Sequence, residues 1–267
     1  MPTDFFGRVM VVFNKYGMSM LQGAGVSMRI ALVGTLVGCI IGFAVGIVQT
    51  IPCGKGDNPV KRVLLWIVKL ILNAYVEFFR GTPMMAQAMF IYFGLLPLLG
   101  IDMSMWGAAY FILSINTGAY MAETVRGGIL SIDLGQTEGA KSIGMTHVQT
   151  MIYVILPQAL RNIMPQIGNN FIINVKDTSV MFIIGFTEFF AAHRYITGVN
   201  PMYFPSAAIE MLGYLCMTLA ASALLRLAER RMDGESSYEL VQADALTMTA
   251  GTYRRRPRPQ DEGGALT

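Results

Sequence analysis

Charged residues are scarce in this sequence. Asp, Glu, Lys and Arg together make up 14% of the 267 residues, whereas an ordinary soluble domain has about 25%. Hydrophobic residues account for 54%, and the mean hydropathy is +0.50. This balance predicts an integral membrane protein rather than a soluble one. The length suits one helical membrane domain of about five or six spans, with no room for a second soluble domain.

Cysteine and histidine are also rare. Cys39, Cys53 and Cys216 lie far apart and lack the spacing of metal ligands, and so do His147 and His193. We therefore expect isolated buried thiols, histidines on the surface or in loops, and no metal site.

The motifs of common catalytic sites are absent as well. The sequence contains no G-x-S-x-G and no H-E-x-x-H. Gly54, Lys55 and Gly56 are followed by Asp57, where a phosphate-binding loop needs Ser or Thr. These absences predict a chain that is not an enzyme, has no ATPase site of its own and binds no cofactor.

Apolar segments predict about five membrane spans, each near the ~20 residues that a bilayer requires. The expected spans are 27–51, 82–99, 105–125, 161–186 and 204–227. The apolar stretch 63–99 is too long for one span and is interrupted by Glu77, Arg80, Gly81 and Pro83, so we expect its first part to be tilted or interfacial, before the crossing at 82–99. The fourth span is only weakly apolar.

Basic residues near the span ends predict the orientation. They gather on one side of the predicted spans: Lys55, Lys61 and Arg62; Arg126, Lys141 and Arg161; Arg226, Arg230 and Arg231. We therefore expect the N-terminus outside, and the loop 126–158 and the C-terminus in the cytoplasm. Residues 1–232 form the predicted membrane domain. Residues 233–267 are polar, basic and proline-rich and are expected to be a disordered cytoplasmic tail.

Four glycines in the first span recur at every fourth position. Gly34, Gly38, Gly42 and Gly46 place one smooth face along a helix, where a neighbouring backbone can approach closely. The neighbour is either another helix of the same chain or a second subunit.

The loop between the third and fourth spans is rich in helix punctuation. Asp133 with Gln136 and Thr146 with Gln149 have the spacing of capping boxes. Gly144 is a natural left-handed helix end, and Pro157 ends or kinks the following segment. We therefore expect two short helices that meet at Gly144.

The same loop carries a family signature. Glu138-Gly139-Ala140, Gly144, Val154 and Leu156-Pro157 have the spacing of the EAA loop, and the sequence resembles bacterial ABC import permeases over about residues 20–230. The segments GAYMAETVRGGI, EFFRGTP (77–83) and KDTS (176–179) resemble the branch that takes up polar amino acids. Gly139 and Val154 depart from the usual Ala and Ile.

The resemblance implies an all-α permease of the type I ABC importer class, with about five transmembrane helices and a cytoplasmic coupling helix. The implied substrates are polar amino acids such as glutamine, glutamate, arginine or histidine, moved across the cytoplasmic membrane by alternating access. The implied partners are a second permease subunit, identical or similar, two cytoplasmic ATPase subunits that hold ATP-Mg, and an extracytoplasmic solute-binding protein. No nucleic acid is involved. The implied ATPase-docking residues are Glu138, Gly139, Ala140, Lys141, Gly144, Leu156 and Pro157, with Ala140 and Gly144 expected on one exposed face.

Polar residues in the fourth span form one stripe. Gln166, Asn170, Asn174 and Asp177 step by four, four and three residues, and Thr178 and Ser179 follow directly. Polar groups at membrane depth usually face a bundle interior or a wet cavity. The stripe therefore either contacts the substrate or joins helices through hydrogen bonds.

Other polar or helix-breaking residues lie near span boundaries. We expect a gating or structural role for Glu77, Arg80, Gly81, Thr82, Pro83 and Glu123. We expect Glu188 near the outer mouth, facing water or a docked binding protein. An ion-gradient-driven secondary transporter of small polar solutes is the alternative function. The absence of an internal repeat argues against it.

Overall fold

The computed structural model describes residues 4–52, 54, 58–200, 202–232, 238–239 and 254–255, with side chains of the last helix as far as Leu227. The helices are α1 Phe5–Thr50, α2 Pro59–Gly81, α3 Met84–Leu98, α4 Met105–Leu130, α5 Leu134–Ser142, α6 His147–Thr150, α7 Leu156–Asp177, α8 Phe189–Val199 and α9 Tyr203–Met232. A π-helical turn, Phe90–Leu95, lies inside α3. A second π-helical turn, Met151–Ile155, precedes α7, and a 3-10 turn, Thr178–Ile184, follows it.

The chain divides into a unit Met1–Leu225 and a short unit Arg226–Thr267. In the second unit, β1 (Tyr238–Glu239) pairs with β2 (Arg254–Arg255) in antiparallel register. The predicted disordered tail, 233–267, otherwise lies outside the described residues.

The first helix is much longer than predicted. α1 has 46 residues and measures roughly 69 Å at 1.5 Å per residue, whereas the hydropathy pattern predicts a helix only over 27–51. Asp4 caps it by accepting a hydrogen bond from Gly7 N at 2.7 Å. Its first turns pack against α8, where Val12 and Met20 share a cluster with Phe189 and Ile196. This tertiary packing stabilises a helical segment that hydropathy alone does not predict.

Two described helices, Phe5–Thr50 and Tyr203–Leu227, have the length and hydropathy to cross a membrane by themselves. The other predicted spans contain a polar stretch or are short. α3 has 15 residues and measures roughly 22 Å, which is less than a bilayer core. The third and fourth predicted helices are also displaced: α4 continues to Leu130, and α7 begins at Leu156 and gives way to a 3-10 turn after Asp177.

The glycine stripe packs against α4 of the same chain. A Cβ at Gly38 would lie 2.6 Å from Thr117 Cβ, and one at Gly46 would lie 2.8 Å from Ala122 O. Only a residue without a side chain permits this separation between the two helices. Of the two alternatives that the sequence left open for the stripe, the structure supports packing inside one chain.

The central helix is α4, which is covered by neighbours along its length. In its first half Leu113 packs in a cluster with Ile30 and Met181. In its second half Val125 packs in a cluster with Ile163 of α7. By contrast α2 and α9 expose many large apolar side chains, as helices facing lipid do.

The free cysteines only partly follow the prediction of buried thiols. Cys216 is exposed on α9, and Cys39 is half-buried. Cys53 lies outside the described residues.

The connector between α4 and α7 has the predicted double-helix form. Gly144 has φ +83°, Gly144 N donates to Lys141 O, and Met145 N donates to Ala140 O at 3.1 Å, so α5 ends in a Schellman motif. Thr146 and Gln149 form the predicted capping box in front of α6.

The other predicted capping box is incomplete. Asp133 caps α5 by accepting from Gly135 N at 2.6 Å. The predicted return bond from the Gln136 side chain is wrong, because Gln136 Oε1 accepts from Gln158 Nε2 of α7 instead.

We expect Gly38→Ala to destabilise the fold by about 1–3 kcal/mol, because the new methyl group would force α1 away from Thr117. Gly25→Ala on the same helix is the matched control, since no atom lies within 4 Å of its added Cβ. Alanine is also the better helix former there, by about 1 kcal/mol. Thermal unfolding in detergent measures both. Equal melting temperatures for the two variants would contradict this packing.

Candidate functional site

Two clefts lie along the seam between α4 and α7. The mid-helix cleft has a volume of about 490 Å³ and is lined by Thr82, Pro83, Met84, Met85, Asn116, Thr117, Tyr120, Asn170, Ile173, Asn174, Asp177 and Val180. The connector-side cleft has a volume of about 460 Å³ and is lined by Arg80, Tyr120, Glu123, Thr124, Gly127, Gly128, Ser131, Asn162, Ile163 and Gln166. Both volumes are in the range of small-molecule sites. Tyr120 borders both clefts.

The break between α2 and α3 forms one wall of the mid-helix cleft. Pro83 has no N–H to continue the hydrogen-bond ladder, so carbonyl groups at the end of α2 need other donors. Gln87 Nε2 donates to Phe79 O at 2.8 Å and to Thr82 O at 2.9 Å, and Thr82 Oγ1 donates to Phe78 O. The irregular backbone is therefore satisfied from within the chain.

A second amide holds Gln87 in place. Asn116 Nδ2 of α4 donates to Gln87 Oε1 at 2.9 Å, and both side chains are buried. Neither residue is among the site residues predicted from the sequence. The signal was present, because a lone glutamine and a lone asparagine in apolar segments require partners.

The predicted polar stripe of α7 separates into two roles. Asn174 is buried, donates from Nδ2 to Thr35 Oγ1 at 2.8 Å and accepts from Thr117 Oγ1 at Oδ1 at 3.1 Å. It therefore joins α7 to α1 and α4. Thr178 is buried and bonds to the Val175 carbonyl, and Ser179 bonds to the Lys176 carbonyl. These two hydroxyl groups serve the backbone where α7 ends, and neither lines the cleft.

Asn170 and Asp177 remain available to the mid-helix cleft. Asn170 is half-buried, and its Nδ2 donates to Gln166 O at 3.0 Å and contacts Met121 Sδ at 3.4 Å. Its amide oxygen has no hydrogen-bond partner among the described residues. Asp177 is half-buried and forms no ion pair within the described part of the chain. Gln166 faces the connector-side cleft instead.

A charged pair lies in the connector-side cleft. Arg80, at the end of α2, forms an ion pair with Glu123 of α4, and its guanidinium lies 5.6 Å from the centre of the Tyr120 ring. Gly81 is exposed, and nothing lies within 4 Å of a Cβ added there. Glu77 is exposed and lines neither cleft. The structure thus brings Arg80 and Glu123 together and leaves Glu77 apart.

The predicted docking residues of the connector are not all displayed. Glu138, Gly139, Lys141 and Gly144 are exposed, but Ala140 is only 6% exposed. The expected common face of Ala140 and Gly144 is wrong, because α5 ends at Ser142 and Gly144 turns the chain. Farther along, Pro157 is exposed and Leu156 packs in the cluster shared by α4 and α7.

Three apolar residues of the connector were missed. Leu134, Ile143 and Val148 are among its most exposed side chains, with Ile143 78% exposed. In a polar loop built from caps and turns, such side chains are typical of a surface that contacts another protein or the membrane. Their apolar character among polar neighbours was visible in the sequence.

Two residues at the other end of the molecule are buried rather than exposed. Glu188, expected to face water or a docked binding protein, caps α8 through Ala191 N and accepts from Ser27 Oγ and Tyr214 OH, both at 2.9 Å. His193, expected in a loop or on the surface, is buried, and its Nδ1 lies 2.9 Å from Ser206 Oγ.

We expect Asn174→Leu to lower the free energy of unfolding by about 1–3 kcal/mol, because it leaves the buried Thr35 and Thr117 hydroxyl groups without their partner. Asn170→Leu, one turn earlier and facing the cleft, is the control and should change the melting temperature little. Equal losses would show that Asn170 also holds helices together.

The chain matches the family described as "Binding-protein-dependent transport system inner membrane component" over residues 56–234. It is 36% identical over 215 residues to the glutamine transport system permease protein GlnP of Escherichia coli (strain K12), covering 80% of this chain and 92% of that protein. It is 30% identical over 212 residues to the arginine transport system permease protein ArtQ of Bacillus subtilis (strain 168), covering 79% and 91%.

Solved structures of ABC transporters have a similar fold. The crystal structure of an amino acid ABC transporter with histidines superposes with a TM-score of 0.72 at 35% identity, covering 86% of this chain and all of that one. An inward-facing structure of the MetNI methionine ABC transporter shares the fold, with a TM-score of 0.61 at 16% identity over 78% of this chain and 95% of that one. The predicted all-α permease fold is thereby confirmed. Because the family match extends over more than half of its length, this chain belongs to the binding-protein-dependent transport system inner membrane components.

Proposed function

We propose that this chain is the membrane-spanning subunit of an ATP-driven importer that carries polar amino acids by alternating access. The observation that supports this most is the mid-helix cleft, which is polar on the α4 and α7 sides and bounded by a satisfied helix break. A membrane-spanning helix has little structural need for an unpaired carboxylate and an unpaired amide oxygen. Relatives named for glutamine and arginine transport support the same substrate class.

The cleft offers partners for both ends of a zwitterion. The Asp177 carboxylate lines it and would pair with an α-ammonium group, while the Asn170 amide oxygen would accept a further hydrogen bond. The first turn of α3 lies opposite, with Pro83 at its N-cap and no side chain capping it. Its free N–H groups and the positive end of the helix dipole suit a carboxylate.

The connector would transmit energy from a separate ATPase that holds ATP-Mg. The short helix α5 is held rigid by a cap at each end and displays Leu134 and Ile143 beside the charged residues Glu138 and Lys141. Apolar anchors surrounded by charges are typical of a docking surface. Two ATPase subunits, a second permease subunit and an extracytoplasmic binding protein would complete the assembly.

The clustering of basic residues supports a cytoplasmic connector and C-terminus with the N-terminus outside. An ion-gradient-driven transporter would give the connector no role, so the ATP-driven importer is the better account of this chain.

Ile143→Asp should abolish coupling. We expect at least a tenfold loss of ATP-dependent amino-acid uptake, because an aspartate would bury an unpaired charge in the ATPase contact. The complete transporter, with its ATPase and binding protein, is assayed in proteoliposomes with L-glutamine, L-glutamate, L-arginine and L-histidine.

Ile143→Val retains the apolar anchor and is the control. Since Ile143 is exposed, neither change should affect folding. Full ATP-coupled uptake by Ile143→Asp would exclude this surface from docking. Wild-type uptake that needs no ATPase would overturn the importer function altogether.

Asp177→Asn should weaken transport without affecting assembly. We expect uptake at low substrate concentration to fall about 10- to 100-fold, because a hydrogen bond to a charged group contributes about 1.5–3 kcal/mol. Lys176→Gln removes the neighbouring exposed charge and serves as the control. ATPase activity measured without substrate should be the same in both variants. An unchanged KM in Asp177→Asn would exclude contact between this carboxylate and the substrate.

A further inference from the structure

The connector-side cleft continues the mid-helix cleft towards the connector. On α4, Tyr120 borders both clefts, and Glu123, Gly127 and Ser131 follow it at helical spacing down to the last turn. On the facing side of the seam, α7 carries polar side chains in the same direction, at Asn170, Gln166 and Asn162. A solute that leaves the mid-helix cleft on the connector side therefore meets the Arg80–Glu123 pair next.

This ion pair has unused binding capacity. The side chains of Arg80 and Glu123 are 36% and 39% exposed, and neither group forms a hydrogen bond with a third residue in the described part of the chain. A guanidinium has five donors and a carboxylate about four acceptor sites. Glu123 Oε2 is shielded where it meets Arg80, so the capacity that remains for a ligand is that of Oε1 and of the guanidinium donors turned away from Glu123. An ion pair this exposed also opens at little cost.

We propose that Arg80 and Glu123 form an exit subsite for a zwitterionic amino acid, with Glu123 receiving the α-ammonium and Arg80 the α-carboxylate. The planar guanidinium suits a carboxylate, which it can bind through two parallel hydrogen bonds. The subsite rests on the proposed amino-acid transport function and adds a second binding position to it.

The cleft also has room for the side chain of the substrate. Gly127 lines it, and no atom lies within 4 Å of a Cβ added there. The volume of about 460 Å³ exceeds what the two charged groups of an amino acid require. Gln166 and Asn162 line the same cleft and offer amide groups to a polar side chain.

Binding at this subsite is expected to be weak, because the substrate must replace the contact between Arg80 and Glu123. Weak binding suits a position from which the substrate is released. An entering zwitterion replaces one ion pair by two, while the Arg80–Glu123 contact is lost and the cleft stays open to water. Transport along a path needs binding that favours entry and still permits release. We therefore expect binding in the millimolar range, far weaker than delivery by a binding protein.

Charge variants of the complete reconstituted transporter test the subsite. With L-glutamine or L-arginine and saturating binding protein, Glu123→Gln and Arg80→Gln should each lower uptake about tenfold. ATP hydrolysis stimulated by the liganded binding protein should stay within about twofold of wild type. Arg126→Gln removes an exposed charge three residues along α4, lines neither cleft and should leave both rates unchanged.

The charge-swapped double variant, Arg80→Glu with Glu123→Arg, tests whether the two residues bind substrate or only hold α2 against α4 through their ion pair. It retains an ion pair but reverses the positions offered to the ammonium and the carboxylate relative to the space beside Gly127. Uptake should remain low. Restoration of wild-type uptake would overturn the subsite, because only the pairing of charges would then matter.

A measurement on the wild type avoids any risk of misfolding. L-glutamine loaded at millimolar concentration on the connector side should slow uptake about twofold or more. N-acetyl-L-glutamine, which lacks the ammonium, and L-glutaminamide, which lacks the carboxylate, should not.

Equal slowing by these analogues would overturn the subsite, as would undiminished slowing of Glu123→Gln by L-glutamine. A wild-type transporter that takes up no amino acid would refute the proposed function instead, and it would do so before any variant is compared.

Discussion

The close approach of α1 and α4 is the contact on which the rest of the structure depends. Glycines at every fourth position of α1 bring the two backbones together, so that Thr35 of α1 and Thr117 of α4 reach the same amide, Asn174 of α7. This three-helix contact holds α7 against α4. Because Asn170 and Asp177 lie one turn on either side of Asn174, the same contact places them at the cleft.

A second constraint comes from the backbone itself. A helix break at membrane depth is tolerated only where its freed carbonyl groups find donors and where it is buried or lines a cavity. Gln87 and Asn116 supply those donors between α2 and α3. One wall of the mid-helix cleft is thus the break between α2 and α3, and the other is formed by the unbroken helices α4 and α7. The polar residues divide accordingly into those that satisfy the protein and those that remain free for a solute.

Much of this could be predicted from spacing. The four-residue glycine period predicted a tightly packed face, and Thr146 with Gln149 predicted a cap that the structure confirms. Spacing identifies a face but not what covers it. The partner of the glycine stripe therefore stayed open until the structure showed α4. The α7 stripe likewise did not reveal that Asn174 joins three helices while Asn170 lines the cleft.

Other predictions failed because tertiary contacts outweigh local signals. Glu188 was expected to face water or a docked binding protein, but its carboxylate accepts hydrogen bonds from hydroxyl groups of α1 and α9, which are far away in sequence. The hydropathy pattern placed the start of the first helix at residue 27, because Arg8 and Lys15 interrupt the apolar pattern before it. Packing against α8 nevertheless keeps the chain helical from Phe5 onward. The buried Ala140 shows the same limit: a motif identifies a docking loop without telling which of its residues face the partner.

The two helices that line the clefts enter the connector in different ways. α4 ends at Leu130 and α5 begins at Leu134, so a short, capped turn separates them. On the other side the helix is unbroken from His147, through the π-helical turn, to Asp177, and single π-helical turns are frequent at functional sites. A displacement of the connector therefore passes directly into α7, through continuous helix, and less rigidly into α4, across a turn. Since the clefts lie between these two helices, this asymmetry connects a movement at the docking surface to the width of the seam that a substrate must cross.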